Sequence, residues 1–230
     1  MKIYAIGDLH LSFGVDKPMD IFGDAWKNHV QAIQRNWLNK IKEEDLVILC
    51  GDLSWGMRLD EAKIDLEFIA NLPGKKVCIK GNHDYWWEKI GRLNQLDQRL
   101  YFLQNTAYLV EKGVAICGTR AWSQQEEMTK EDEKVYKREV ERLRLSLEDA
   151  KKKGAKEIIV ALHYPPTNEK REPSAFTKLL ENYPVSQVVF GHLHDEGAWS
   201  KALQGEYEGI NYHLVAADYL NFEPKYIGEI

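Results

Sequence analysis

Short runs of apolar residues recur along the chain at 3–6, 46–50, 76–79, 108–110, 114–117, 158–162, 188–190, 212–215 and 226–230. Each has the length of a strand, and most are nearly continuous in apolar or β-branched side chains, the pattern of strands covered on both faces. Between them, 24–43, 60–71, 86–98, 131–153 and 174–182 space their apolar positions at the helical period, with Asp24, Asp60 and Ser174 placed as N-terminal caps. The close pair 107–110 and 113–117, joined through Glu111-Lys112, predicts a hairpin. Helix-length connections elsewhere predict crossovers, so the expected fold class is α/β with mixed sheets flanked by helices.

Composition narrows this picture. A chain of 230 residues with 44% apolar and 29% charged residues is globular, and at that length an α/β domain buries roughly 70% of its unfolded surface without needing a disulfide. No linker rich in Pro, Gly or Ser divides it, so one domain over 1–230 is expected. The apolar runs fall well short of the roughly 18–20 residues of a membrane span. Lys2 and 3–6 are followed at once by Gly7 and Asp8, too short and too soon acidic for a signal peptide, so a cytoplasmic protein with no membrane partner is expected. Cys50, Cys78 and Cys117 lie inside apolar runs with no CxxC spacing and read as buried thiols. The segment 125–156 is dense in Glu and Lys at helical spacing and ends at Gly154, which predicts a solvated helix face with a glycine stop, a lid or partner surface being the alternative. With 31 Lys+Arg against 36 Asp+Glu the net charge is −5, so a broad basic face for nucleic acid is not indicated.

The candidate chemistry is concentrated just past the strand ends. Five times an apolar run gives out onto residues that bind metals: Gly7-Asp8-Leu9-His10, Gly51-Asp52, Gly81-Asn82-His83-Asp84, His163, and Gly191-His192-Leu193-His194. In sheets with helical crossovers the carboxyl ends of neighbouring strands share one rim, so these clusters can meet. Asp8 with His10, and His192 with His194, are two apart and point to one side if the backbone is extended. A preceding glycine supplies a tight or positive-φ turn out of the strand. Five of the seven histidines fall in the clusters, leaving His29 and His213 as structural residues. Several carboxylates and imidazoles on one rim would repel and desolvate one another without a cation to pair them, which points to a shared metal site.

In that order and spacing the motifs D-x-H, G-D, G-N-H-D, H and G-H-x-H resemble the calcineurin-like metallophosphoesterases, over residues 8 to 194. The resemblance implies a four-layer αββα sandwich of two mixed sheets with the site at their rim. It implies that Asp8, His10 and His194 hold one metal ion, that Asn82, His163 and His192 hold a second, and that Asp52 bridges them. His83 would face the substrate as general acid, with Asp84 orienting its ring. Carboxylate, amide and imidazole donors without thiolate suit two divalent or trivalent transition-metal ions, Mn, Fe or Zn, better than an all-oxygen Mg or Ca site. The implied reaction is hydrolysis of a small phosphomonoester or phosphodiester by attack of a metal-bridging hydroxide.

The residues around the motifs bear on substrate. The arginines that protein Ser/Thr phosphatases of this superfamily carry after G-D and before G-N-H are not matched: Gly56 stands at the first position and Lys80 at the second, with Arg58 nearby. Trp55, Tyr85-Trp86-Trp87, Trp122 and Tyr164 come after strand ends and either close the pocket or pack beneath it; Arg120 and Lys80 either contact phosphate or face solvent. No large insertion follows His194, so a fairly open site is expected. A nuclease or cyclic-nucleotide phosphodiesterase is the alternative enzyme. A non-catalytic interaction scaffold on the same fold is the alternative outside enzymes, and retention of His83 and all seven ligand positions speaks against it.

Overall fold

The computed structural model describes residues 1–124 and 127–230. Four parallel strands, β1 (Lys2–Ile6), β2 (Leu46–Leu49), β3 (Lys75–Cys78) and β4 (Leu100–Phe102), form a sheet that β11 (Lys225–Glu229) joins antiparallel beside β1, giving the order β11-β1-β2-β3-β4. The second sheet has the order β5-β6-β7-β8-β10-β9. Its centre, β6 (Val114–Thr119), β7 (Glu157–Leu162), β8 (Val185–Phe190) and β10 (Ile210–Leu214), is parallel. Its edges, β5 (Tyr108–Leu109) and β9 (Gly205–Tyr207), are antiparallel.

The continuous apolar strands are explained by the layers. Ile3, Ala5, Ile48 and Val77 from one sheet meet Ile116, Ile159, Ala161 and Val189 from the other in a core between the sheets. The outer face of the first sheet packs Ile6, Leu49 and Phe102 against α1 (His29–Lys40) and α2 (Leu59–Asn71) through Ile33, Trp37, Leu66 and Ile69. The outer face of the second packs Val160, Leu162 and Phe190 against α4 (Lys130–Lys152) and α5 (Ala175–Leu180) through Leu143, Leu147, Phe176 and Leu180. The result is the expected αββα arrangement, and all three cysteines are buried within it.

Local sequence chemistry sets the boundaries. Ser174 caps α5, its Oγ accepting from the Phe176 and Thr177 amides at 3.0 and 3.1 Å. Thr129 and Asp132 form a reciprocal capping box that opens α4. The expected 24–43 helix is instead a short 3-10 turn, Asp24–Trp26, followed by α1, because Lys27 is extended and Asn28 is left-handed. Asp24 and Asp60 are therefore not caps; Asp60 lies inside the first turn of α2. The expected 86–98 helix contracts to α3 (Ile90–Leu93). The hairpin is present, β5 and β6 turning through Glu111–Gly113 with Lys112 and Gly113 both at positive φ.

The first two residues of the charged 125–156 segment lie outside the described residues. Along α4, Lys134, Lys137 and Arg144 pair with exposed glutamates as expected of a solvated face. Glu139 departs from it. Fully buried, it accepts from Thr119 Oγ1 at 2.6 Å and Arg142 Nη1 at 2.9 Å, fastening α4 over the end of β6.

Candidate metal centre

Backbone bonds between loops draw the five strand ends together. Asp8 N donates to Gly51 O at 2.9 Å and His10 N to Asp52 O at 3.0 Å, so the loops after β1 and β2 run side by side. Gly191 N donates to His163 O at 3.1 Å, and Gly7 N reaches across to Val215 O at 2.7 Å, joining the two sheets at the rim. The ligand-type residues themselves take the tight turns: Asp8, His10, Asp52 and His192 have φ of 57, 46, 52 and 74°. Such conformations cost of order 1–3 kcal/mol each and persist where surrounding contacts impose them. Of the glycines that precede the clusters, Gly51 has positive φ, at 86°. Gly81 and Gly191 serve differently: a Cβ on either would land on the carboxylate of Asp52 or Asp8, so they make room for the charged groups.

Asp8, His10 and His194 place one ligand atom each within 4.8 Å of one another, and so do Asp8, Asp52 and His163. Asp8, Asp52 and His163 are buried, while His194 is at the exposed edge. His163 donates from Nδ1 to Cys50 O at 2.9 Å, which leaves a lone pair on Nε2, and Nε2 faces Asn82 Oδ1 at 2.5 Å and Asp52 Oδ2 at 3.6 Å. The His192 ring lies 5.0 Å from that of His163, and its backbone amide donates to both Asp8 oxygens. Asp8 belongs to both groups, and Asp52 Oδ2 lies 3.9 Å from His10 Nε2 and 3.6 Å from His163 Nε2.

His83 is half-buried, its amide donating to Asp52 Oδ1 at 2.8 Å and its ring 4.5 Å from Trp55. The expectation that Asp84 orients this ring is corrected. The buried Asp84 carboxylate accepts from the amides of Asp52, Leu53 and Gly81 at 2.7–2.9 Å and from Trp86 Nε1 at 3.1 Å, so it holds the G-D and G-N-H loops together. Trp55 meets the His83 ring most closely, ahead of His10 at 5.9 Å and Tyr85 at 6.3 Å, while also stacking on His10 at 4.8 Å.

The electrostatics are those of anions and imidazoles competing for too little charge. Burial and the neighbouring Asp8 push Asp52 up to about 8. Against the effect of its own burial, Asp8 is held below the ordinary carboxylate range by His194, His163 and His10. Burial and then His163 lower His192 to about 3, whereas Asp218 and Asp8, overcoming burial, raise His194 to about 10. His10 Nδ1 is buried and has no partner among the described residues. His163 Nε2 and Asn82 Oδ1 facing one another at 2.5 Å, with His10 Nε2 and the buried Asp8 and Asp52 carboxylates beside them, fit a bound cation through a mixed N/O donor set.

Sequence reasoning missed Asp218, whose carboxylate accepts from His194 Nδ1 at 3.2 Å. The signal was there: 212–215 is one more apolar run that ends on an acid, through Ala216-Ala217-Asp218. It also missed Trp26, edge-on to His10 at 5.7 Å and His194 at 5.8 Å, by placing that residue in a continuous helix. Trp86 is core, and Trp87 packs on Phe102 at 5.3 Å. Tyr164 lies 4.1 Å from the His192 ring. Lys80 and Arg120 line a small cavity with Arg142 and the buried Glu139, so neither is a free surface cation. His29 sits beneath Trp26, and His213 pairs with Gln187 at 3.0 Å on the second sheet, both as structural residues. Beside His192 opens a cavity of about 400 Å³ lined by Ser123, Gln124, Pro165, Thr167 and Asn168.

Comparison with known proteins matches this geometry to a family. Over 93 residues, 38% of this chain, the sequence is 31% identical to the uncharacterized protein MJ1445 of Methanocaldococcus jannaschii, and the match spans about half (49%) of that relative's length. Among solved structures, the phosphopantetheinyl hydrolase PptH of Mycobacterium tuberculosis shares the fold at a TM-score of 0.51 and 14% identity, covering 98% of this chain and 95% of that one. A protein of unknown function from Aquifex aeolicus, AQ665, aligns with a TM-score of 0.47 and 16% identity over 98% and 95% of the two chains. The calcineurin-like phosphoesterase profile matches residues 1–196, a span containing every strand-end cluster, and the chain belongs to that family of metal-dependent phosphoesterases.

Proposed function

We propose that the chain, as one catalytic unit over 1–230, hydrolyses a small phosphomonoester or phosphodiester with two transition-metal ions, one held by Asp8, His10 and His194, the other by Asn82, His163 and His192, with Asp52 between them. The observation that carries this reading is the buried convergence of Asp8 and Asp52 with His10 and His163 beneath a half-buried His83. Two ions bound there supply Lewis acidity toward the phosphoryl oxygens and lower the pKa of water, the part of phosphoester hydrolysis that no side chain can provide.

The chain's own residues do the rest. Asp84 fixes the spacing of the Asp52 and Asn82 loops through its backbone bonds, so the cradle is set before substrate arrives. Trp26 and Trp55 wall the His10 side and restrict water there. His83 stands over the cradle and donates a proton to the departing oxygen, a task typically contributing about 10²–10⁴-fold. Burial, and then His163 and Lys17, lower its pKa, so the free ring holds its proton less readily than an exposed histidine, and a bound phosphate anion works against that shift and restores the proton to be donated. The cavity beside His192 is of a size for an organic substituent, which supports a small-molecule substrate.

The test is purification with elemental analysis, then parallel assays on a chromogenic phosphomonoester and a chromogenic phosphodiester with Mn, Fe, Zn or Mg added back. Metal-dependent turnover of either substrate supports the reading, and the ratio of the two rates assigns the branch. A protein that carries two ions and turns over no phosphomonoester or phosphodiester, those with a charged leaving group included, overturns it.

A further inference from the structure

Lys17 was not among the residues the motifs single out, yet the fold delivers it to the metal rim. Leu11 pairs with Ser54, and Trp55 N donates to Leu11 O at 2.8 Å, so the segment after Leu11 runs alongside the G-D loop. Lys17 Nζ sits 3.7 Å from the centroid of the Trp55 ring. That indole is itself fixed, its Nε1 donating to Met19 Sδ at 3.1 Å, and it touches the rings of both His10 and His83. One half-buried ammonium is thus presented one ring away from a metal-ligand histidine and from the residue that stands over the cradle.

No carboxylate lies within ion-pair distance of Lys17 among the described residues, and the aromatic face occupies one side of the ammonium only. A cation–π contact of this kind is worth about 0.5–2 kcal/mol and holds the charge in place while its N–H donors stay available. Of the other cations near the motifs, Arg120 and Arg142 pair with Glu139 and Arg58 with Asp60 and Glu61, while Lys80 lines the separate small cavity beside Arg120 and Glu139. Under the phosphoesterase reading two metal ions would neutralise the reacting phosphoryl group, so a further fixed cation on the His83 side has a different natural partner.

Resting on the phosphoesterase reading above, we propose that Lys17 is an anion anchor on the leaving-group side of the site, and that the substrate carries a second oxyanion, a carboxylate or another phosphate, beyond the scissile ester. Lys17 is then a specificity residue, positioned by Trp55, that selects phosphoesters with a charged leaving group.

Calorimetric binding of non-hydrolysable phosphonates to the metal-loaded protein tests this without turnover. Ethylphosphonate offers one anionic end, whereas phosphonoacetate and methylenediphosphonate offer a second, a carboxylate and a phosphate analogue respectively. The wild type is expected to prefer one of the latter two by at least about tenfold, the scale of a charge-assisted hydrogen bond, and which one it prefers names the oxyanion. Lys17→Met keeps the aliphatic stem over Trp55 and is expected to lose that preference; Lys17→Arg is expected to retain it. Metal content and thermal midpoint are measured on each variant so that unfolding or metal loss is not read as lost recognition. A wild type without preference, or a Lys17→Met variant that keeps it, overturns the inference and leaves Lys17 as a packing residue on Trp55. Failure of all three phosphonates to bind a protein shown to hold both metals overturns the phosphoesterase reading itself.

Discussion

At the scale of single residues, the site is built from side chains in conformations that an isolated chain would avoid. Asp8, His10, Asp52 and His192 lie at positive φ, and what holds them there is a set of neighbours: the Asp84 carboxylate on the amides after β2 and β3, and Gly81 and Gly191 leaving space for the two aspartates. The residue types were legible in the sequence because metal chemistry restricts them to Asp, His and Asn after strands. Their conformation was not, since positive φ belongs to neither propensity nor period, and the two-apart rule for extended chain does not apply to Asp8 and His10. His83 stands apart from the proposed ligands, so His83→Ala is expected to lower kcat by about 10²–10⁴-fold while elemental analysis still finds both metals; unchanged turnover would remove it from the mechanism. Asp218 acts through His194, fixing which ring nitrogen is presented. Asp218→Asn is therefore expected to weaken metal binding about 10–100-fold in a chelator competition, with the metal-free fold intact by circular dichroism. Equal affinities would show that His194 is oriented without it.

At the scale of elements, strands were read well because their Val- and Ile-rich runs are buried on both faces, and the long, strongly periodic α4 and α2 were read to within about a residue or two. The misses are short or edge elements. β4 and β9 are three residues each, α6 (Glu196–Lys201) is six, and 86–98 holds a single helical turn, lengths at which periodicity carries little information. Lys76 is the instructive case, a lysine at the head of an apolar run that proves fully buried in β3. Its ammonium donates to the Ala70 and Leu72 carbonyls at the C-terminal end of α2, where unpaired carbonyls and the helix dipole favour a cation. Burial nonetheless lowers its pKa to about 8. In the unfolded chain the lysine holds its proton up to about 10.5, so between these values the unfolded state binds more protons and the fold gains stability as pH rises. Below about 8 the penalty of a buried charge is fully present. Urea unfolding of wild type and Lys76→Met at pH 7.5 and 9.5 is expected to show the difference moving in favour of the wild type at the higher pH, by on the order of 1–3 kcal/mol. A difference independent of pH would mean that the helix carbonyls fully offset the burial.

At the scale of the molecule, the candidate metal centre gathers buried like charges in the metal-free fold. It lies where the two sheets meet, and there Asp52 is driven up to about 8 by burial and by Asp8, so at neutral pH it carries a proton that an ion must displace. His194, held at about 10 chiefly by Asp218 and Asp8 against its burial, must lose one too. The chain's formal charge of −5 includes Asp8 and Asp52, and two bound dications would bring the whole to −1, placing positive charge where these two buried carboxylates converge. Ions that bind the folded state alone stabilise it by mass action, each by about 4 kcal/mol at 1,000 times its dissociation constant. For a chain of this size about 1 kcal/mol moves the melting temperature by roughly 2–4 °C. Removing both ions with a chelator is therefore expected to lower the melting temperature by upwards of about 10 °C, restored by Mn or Zn. Because binding expels protons, affinity rises with pH, and the gap between loaded and chelated protein is expected to widen from pH 6 to pH 8.5. Scanning calorimetry of the two forms at both pH values checks the size and the sign. A gap that is absent, or wider at pH 6, would mean that the cradle of Asp8, Asp52, His163 and His194 does not bind metal as a proton-competing site.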